Sequence, residues 1–170
     1  MPVPWAHVVG LAAGYGLRRL RSWPLPGRRS VHHVLGWTVV GAGGHLIVQS
    51  VLTAARLDLA RPERLVTAYP YSVSRNPMYL GWALLHLGVG LATGCGWIIA
   101  TLPATAAWVN LDIRREERRL AGAFGLEYER YRAAVPRYLA LSSHPGAGSQ
   151  QRRRPRQRAA AAQREGGQMR

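Results

Sequence analysis

Two polar signatures bracket a long charge-free stretch of this chain: Arg75-Asn76-Pro77-Met78-Tyr79-Leu80-Gly81 opens it, and the acidic pair Glu116-Glu117 follows it. A carboxylate on an apolar helix face is costly unless a cation neutralises it. Glu117 fits the gap between Ile113 and Leu120 in an apolar stripe. That stripe continues through Phe124, Tyr128, Tyr131 and Val135 at steps of three, four or their sum, which predicts that Glu117 faces inward. Glu116 borders the same face, whereas Arg114, Arg115, Arg118 and Arg119 point mostly away from it. The cation this pair needs is either an arginine such as Arg75, giving a plain ion pair, or a cationic ligand, giving a binding site. Ionisable groups at the edge of hydrocarbon are scarce and mark the place to look for chemistry.

The elements that must position these residues follow from the charge pattern. Met1–Leu17 carries no Asp, Glu, Lys or Arg, Ser30–Ala55 none in 26 residues, and Asn76–Leu111 none in 36. A membrane-spanning helix needs about 20 apolar residues, so the second block is long enough to cross once. The third is too long for one crossing, and Thr93-Gly94-Cys95-Gly96 divides it. The pattern predicts helices over Pro77–Ala92 and Trp97–Leu111, with a kink at Pro103, and a last helix from Asp112 to about Ala134 weakened by Gly122 and Gly125. Gly36, Gly41, Gly43 and Gly44 would allow close helix approach within a membrane. Trp23-Pro24-Leu25-Pro26-Gly27, Arg61-Pro62-Glu63 and Tyr69-Pro70-Tyr71 read as irregular connections. The expected fold is an all-α integral membrane bundle of about four membrane segments with a cytosolic amphipathic C-terminal helix. It comprises a domain over residues 1–142 and a disordered Arg-rich tail over 143–170. The first block is expected to be re-entrant or a short crossing, and the alternative for the hairpin is a buried pair of helices in a soluble protein.

The net charge is +15, and all 23 basic residues are arginine. They fall between the apolar blocks and in the tail, where anionic lipid head groups would meet them. No nucleic acid is expected as a partner. Cys95 is the one cysteine, so neither an internal disulfide nor a Cys-based metal site is expected, and no metal ligands are assigned. The N-terminus lacks a basic region before its apolar stretch and does not read as a signal peptide. His86 and His45 read as hydrogen-bonded core groups and His32-His33 as an interfacial pair. The paired glycines of Gly14-Tyr15-Gly16, Gly41-Ala42-Gly43 and Gly88-Val89-Gly90 lack the context of a dinucleotide fingerprint.

One ordered set of segments resembles a known family. Leu65-Val66-Thr67, Pro70-Tyr71, Arg75 to Gly81, Glu116-Glu117-Arg118-Arg119-Leu120, Phe124-Gly125, Tyr128, Tyr131 and Val135-Pro136-Arg137 are similar to the isoprenylcysteine carboxyl methyltransferase and phospholipid methyltransferase superfamily of membrane methyltransferases. The resemblance implies an enzyme that uses S-adenosylmethionine at the cytoplasmic face of a bacterial membrane, with the lipid bilayer and a lipophilic methyl acceptor as partners. It also implies that Tyr71, Arg75, Asn76, Pro77, Tyr79, Leu80 and Gly81 form one wall of the cofactor pocket, and that Glu116 and Glu117 receive the methionine ammonium.

Three positions depart from the family pattern: Tyr69 replaces a usual glycine, Asn76 a frequent histidine and Asp112 a common arginine. The last departure bears on a carboxylate acceptor, which that arginine serves in the prenylcysteine enzymes. Isoprenylcysteine-type carboxyl O-methylation stands slightly ahead of phospholipid-type N-methylation. An amine must first lose a proton, and no catalytic residue is an obvious base. The rival readings are a sterol-reductase-like enzyme using NADPH and a non-catalytic membrane scaffold whose polar cluster is only an ion-pair latch. The sequence leaves the oligomeric state open.

Overall fold

The computed structural model describes residues 5–60 and 65–139. The expected Arg-rich tail and the Arg61-Pro62-Glu63 connection lie outside the described residues. Five helices follow in order, with no strand among the described residues: α1 (Trp5–Leu20), α2 (Arg29–Ala60), α3 (Pro77–Ala92), α4 (Gly96–Phe124) and α5 (Leu126–Ala134).

α3 has the bounds expected from the sequence. Asn76 precedes it and Pro77 occupies its first turn, where the missing N–H costs nothing and the fixed φ suits a helix. The turn that ends it contains Gly94 at φ +60, a left-handed conformation that glycine adopts without steric cost. α4 departs from expectation: it runs through Asp112 without a break, contains Pro103, and stops at Gly125, whose φ is +49. The helix expected over Asp112–Ala134 is therefore divided, because that one residue re-aims the chain into α5.

α2 and α3 pack antiparallel along a seam of small residues. A Cβ placed on Gly43 would lie 2.7 Å from the Gly81 carbonyl oxygen, and one on Gly36 would lie 2.2 Å from the Ala92 nitrogen. Gly41 and Gly44 face open space, so two of the four glycines expected at an interface are not in it. Gly43→Val is accordingly expected to destabilise the fold by roughly 1–3 kcal/mol through overpacking. Gly44→Ala should leave it unchanged or stabilise it by up to about 1 kcal/mol. Thermal unfolding of the two variants checks both.

α1 lies antiparallel on α4, with Gly14 against Ile98 and Gly10 against Thr105. Ala6 joins Val109 and Ile113 in a buried cluster flanked by Tyr79. Between these helices, His86 Nε2 lies 3.0 Å from the Ile98 carbonyl and His86 Nδ1 lies 3.3 Å from His7 Nδ1. The carbonyl can only accept, so His86 donates from Nε2 and accepts from His7 at Nδ1. Both rings are buried. His86 thus behaves as the hydrogen-bonded core histidine expected of it, whereas His45 is exposed.

At the far end of the bundle, Gly96 N donates to Trp23 O and Leu25 N to Gly94 O, and Trp97 Nε1 donates to Arg21 O at 2.7 Å. These bonds fix the α1–α2 loop against the α3–α4 turn. Among the described residues, one helical segment, Arg29–Arg56, is long and apolar enough to cross a membrane, and Pro77–Ala92 is a shorter apolar helix.

Candidate functional site

The start of α3, the second half of α4, and α5 surround a pocket of about 240 Å³. It forms because α3 begins next to the point where α4 leaves the charge-free stretch, and because the break at Gly125 turns α5 back toward that junction. Leu65 and Val66 close one side, while Leu120 and Phe124 from α4 and Tyr128 and Tyr131 from α5 supply a largely apolar, aromatic wall. The stripe read from the sequence as a packing face is therefore also a pocket lining.

Of the residues singled out in the sequence, Tyr71, Arg75, Asn76, Pro77, Tyr79, Glu116 and Glu117 all line this pocket. Leu80 and Gly81 do not. One turn into α3 the helix face has rotated toward α2, where the Gly81 position meets Ile47 and the Gly43 carbonyl. Gly81 thus fixes the helix pair rather than the pocket surface.

The two glutamates occupy different environments. Glu117 accepts from Arg137 at both oxygens, Nε to Oε1 at 3.1 Å and Nη2 to Oε2 at 2.6 Å. Arg75 Nη1 also lies 3.1 Å from Glu117 Oε1. The carboxylate is 12% exposed and the Arg75 side chain 10%, so this is a largely desolvated cluster of two guanidiniums around one anion. The Glu117 bond holds the Arg137 guanidinium above its ordinary value. Glu117 is thus already neutralised by the chain's own arginines, which revises the expectation that it offers a free carboxylate to a ligand.

Glu116 has no arginine within ion-pair distance among the described residues. Its polar contact is Tyr79, whose hydroxyl donates to Oε2 at 3.4 Å. Desolvation by the pocket wall pushes its carboxyl above the ordinary value, and the Tyr79 bond opposes that shift. Tyr71 is raised by its own burial and then by the negative charge of Glu116.

Arg137 escaped the sequence reading as a site residue, although Val135-Pro136-Arg137 belonged to the motif set. No helical spacing links it to Glu117, because the two lie 20 positions apart across a helix break. Its segment acts as a strap across the approach to α3. Arg75 N donates to Pro136 O at 2.9 Å; Ser74 Oγ and Asn76 Nδ2 donate to Arg137 O, each at 3.2 Å. Asn76 therefore spends its amide on the strap. Tyr131 Oη donates to Tyr71 O at 2.7 Å, and burial pushes its phenol up to about 12.

Three buried polar atoms at this cluster lack a well-formed hydrogen bond: Arg75 Nε, Arg75 Nη1, which makes the ion contact to Glu117, and the Tyr128 hydroxyl, which lies beside the Arg75 guanidinium. Unmet donors in a buried position are uncommon and call for a partner. Together with Glu116, they give the pocket one acceptor-seeking edge and one cation-seeking edge. Such a pairing is complementary to an amino acid's carboxylate and ammonium.

A family model described as phospholipid methyltransferase matches residues 31–127. Methanethiol S-methyltransferase 2 of Bradyrhizobium diazoefficiens is 29% identical over 111 residues, covering 61% of this chain and 42% of that protein. Methanethiol S-methyltransferase of Crocosphaera subtropica is 28% identical over 109 residues, covering 60% and 42%. The match thus spans less than half the length of these curated relatives. No solved structure matches the chain.

Proposed function

Because the chain belongs to the phospholipid methyltransferase family, we propose that it is a membrane methyltransferase that takes S-adenosylmethionine into the pocket between α3, α4 and α5. The observation that carries this reading is the division of labour between the glutamates. Glu116 is the pocket carboxylate left without an arginine, and it stands in the same lining as the unmet donors of Arg75 and Tyr128. Glu116 would receive the ammonium, Arg75 Nε and Tyr128 the carboxylate, and the aromatic wall the apolar remainder. When bound, the sulfonium supplies a methyl group that a nucleophile takes as the sulfonium becomes a neutral thioether.

The pocket offers no evident base, which bears on the acceptor. A thiol has a pKa near 8.5 and is already a few per cent thiolate at pH 7, so it can react without one. An anionic nucleophile and a cationic donor lose their charges together, which a dry, apolar pocket assists. The names of the two relatives point the same way, and we favour a lipophilic thiol as acceptor. Carboxyl O-methylation of an isoprenylcysteine-type substrate is the second reading: a carboxylate needs no base either, and Leu65, Val66, Leu120 and Phe124 would suit a hydrocarbon chain. The cation that would hold such a carboxylate is the weak point, since Arg75 and Arg137 already serve Glu117.

The membrane reading has its own support. Trp5, Val8, Val34, Trp37, Val48, Leu52 and Trp108 are large apolar residues exposed on α1, α2 and α4, more than a soluble surface normally displays. α1 at 16 residues spans roughly 24 Å, short of a core of about 30 Å, and so suits a short crossing. The arginines that follow the apolar segment of α4 favour the cytoplasm for the pocket side.

Incubating membranes that contain the chain with methyl-labelled S-adenosylmethionine and either a long-chain thiol or a prenylated cysteine tests the acceptor. Label on the thiol supports the first reading, and label on the carboxyl alone would replace it with the second. A pH dependence follows from the raised Glu116 carboxyl. Ammonium binding needs the ionised form, so affinity should fall as the pH is lowered, beginning above the ordinary carboxylate range. Calorimetric titration across pH should find that fall in the wild type and a flat response in Glu116→Gln.

A further inference from the structure

Behind the pocket, on the other side of Glu117, lies a second depression of about 190 Å³ lined by Arg114, Glu117, Arg118, Ala121, Arg132 and Arg137. Four guanidiniums thus face one carboxylate, and that carboxylate is already engaged by Arg137 and Arg75. Arg114 and Arg118, one turn apart on α4 and both exposed, have no carboxylate within ion-pair distance among the described residues. Arg132 reaches Glu129 at 3.4 Å, with both side chains more than half exposed; such a surface pair holds the arginine weakly. Like charges one helical turn apart repel, so a groove built this way has an uncompensated positive field that an anion would relieve.

Its level along α4 says what kind of anion. Leu111 is the last residue of the charge-free stretch. Arg114 and Arg118 follow it by three and seven residues, or about 4.5 and 10.5 Å of helix rise. The head-group region on one side of a bilayer is roughly 5–8 Å deep. Those two arginines therefore bracket the layer where lipid phosphates lie, and a guanidinium fork matches phosphate oxygens bidentately.

We propose that this groove binds the phosphate of an anionic phospholipid head group. The inference rests on the membrane reading above and is independent of the methyl-transfer chemistry. Arg137 belongs to both the groove and the Glu117 cluster, so an occupied groove also steadies the strap across the approach to α3.

The test uses the full chain in a neutral detergent, titrated with phosphatidylglycerol, phosphatidylcholine or inorganic phosphate while thermal unfolding is followed. Phosphatidylglycerol at about a hundred times its dissociation constant should raise the Tm of the wild type by roughly 5–10 °C. Phosphatidylcholine should leave it unchanged. The Arg114→Gln/Arg118→Gln variant should lose more than half of the rise. Arg115→Gln/Arg119→Gln removes the same charge from the same helix outside the groove and should keep the rise. An equal loss in both variants would reduce the effect to general charge attraction and overturn the site. An equal rise with millimolar inorganic phosphate would overturn the lipid assignment. A chain that stays monodisperse without detergent would overturn the membrane reading beneath it.

Discussion

Glu117→Ala is expected to destabilise the protein by about 3 kcal/mol or more, because it strips the counter-charge from a largely desolvated guanidinium. Arg75 is 10% exposed and would keep no carboxylate among the described residues. Arg137 would lose both of its hydrogen bonds to that side chain. At roughly 2–4 °C per kcal/mol for a chain of this size, the melting temperature in detergent should fall by roughly 6–12 °C. Glu117→Gln preserves the shape and one acceptor, and should fall by less. Arg137→Ala should also be milder, since its side chain is 33% exposed and part of its charge is solvated in either state. A drop below about 3 °C in Glu117→Ala would mean that the cluster contributes little and that the strap is held by the bonds to the Pro136 and Arg137 carbonyls.

The same cluster gives the latch reading of the polar residues a definite but limited share. Glu117, Arg75 and Arg137 do form an ion-pair latch, whereas Glu116 is not part of it. Sequence spacing could find that Glu117 faces inward, because Ile113 and Leu120 set the helix face on both sides of it. It could not find what neutralises Glu117. Arg75 was one candidate among many arginines, and Arg137 comes from beyond a helix break that no periodicity crosses. α3 was legible to its ends because Pro77 and the Gly94 turn are local signals. The continuity of α4 was not, because the switch from apolar to charged residues at Asp112 marks a change of surroundings rather than a change of backbone. Leu80 and Gly81 illustrate a related limit: a contiguous motif on a helix cannot turn every residue to one pocket, and the α2 seam claims Gly81. Asn76, which departs from the family's frequent histidine, ties its side chain to the strap.

Glu116→Ala should behave in the opposite way to Glu117→Ala. The residue is only partly covered by the pocket wall and has no arginine partner among the described residues, so its loss should change stability by less than about 1 kcal/mol. Affinity for S-adenosylmethionine should nevertheless fall by roughly 10- to 100-fold, the weight of one charged hydrogen bond of about 1.5–3 kcal/mol. Tyr79→Phe, which removes the hydroxyl that orients Glu116, should lose a smaller part of that affinity and leave the fold intact.

The most direct single measurement is calorimetric titration of S-adenosylmethionine into purified wild type and Glu116→Ala in the same detergent, at neutral pH. One site per chain in the wild type, with at least tenfold weaker binding in the variant at an unchanged melting temperature, is the predicted result. Equal affinity in the two proteins, or no binding by a folded wild type, would contradict it.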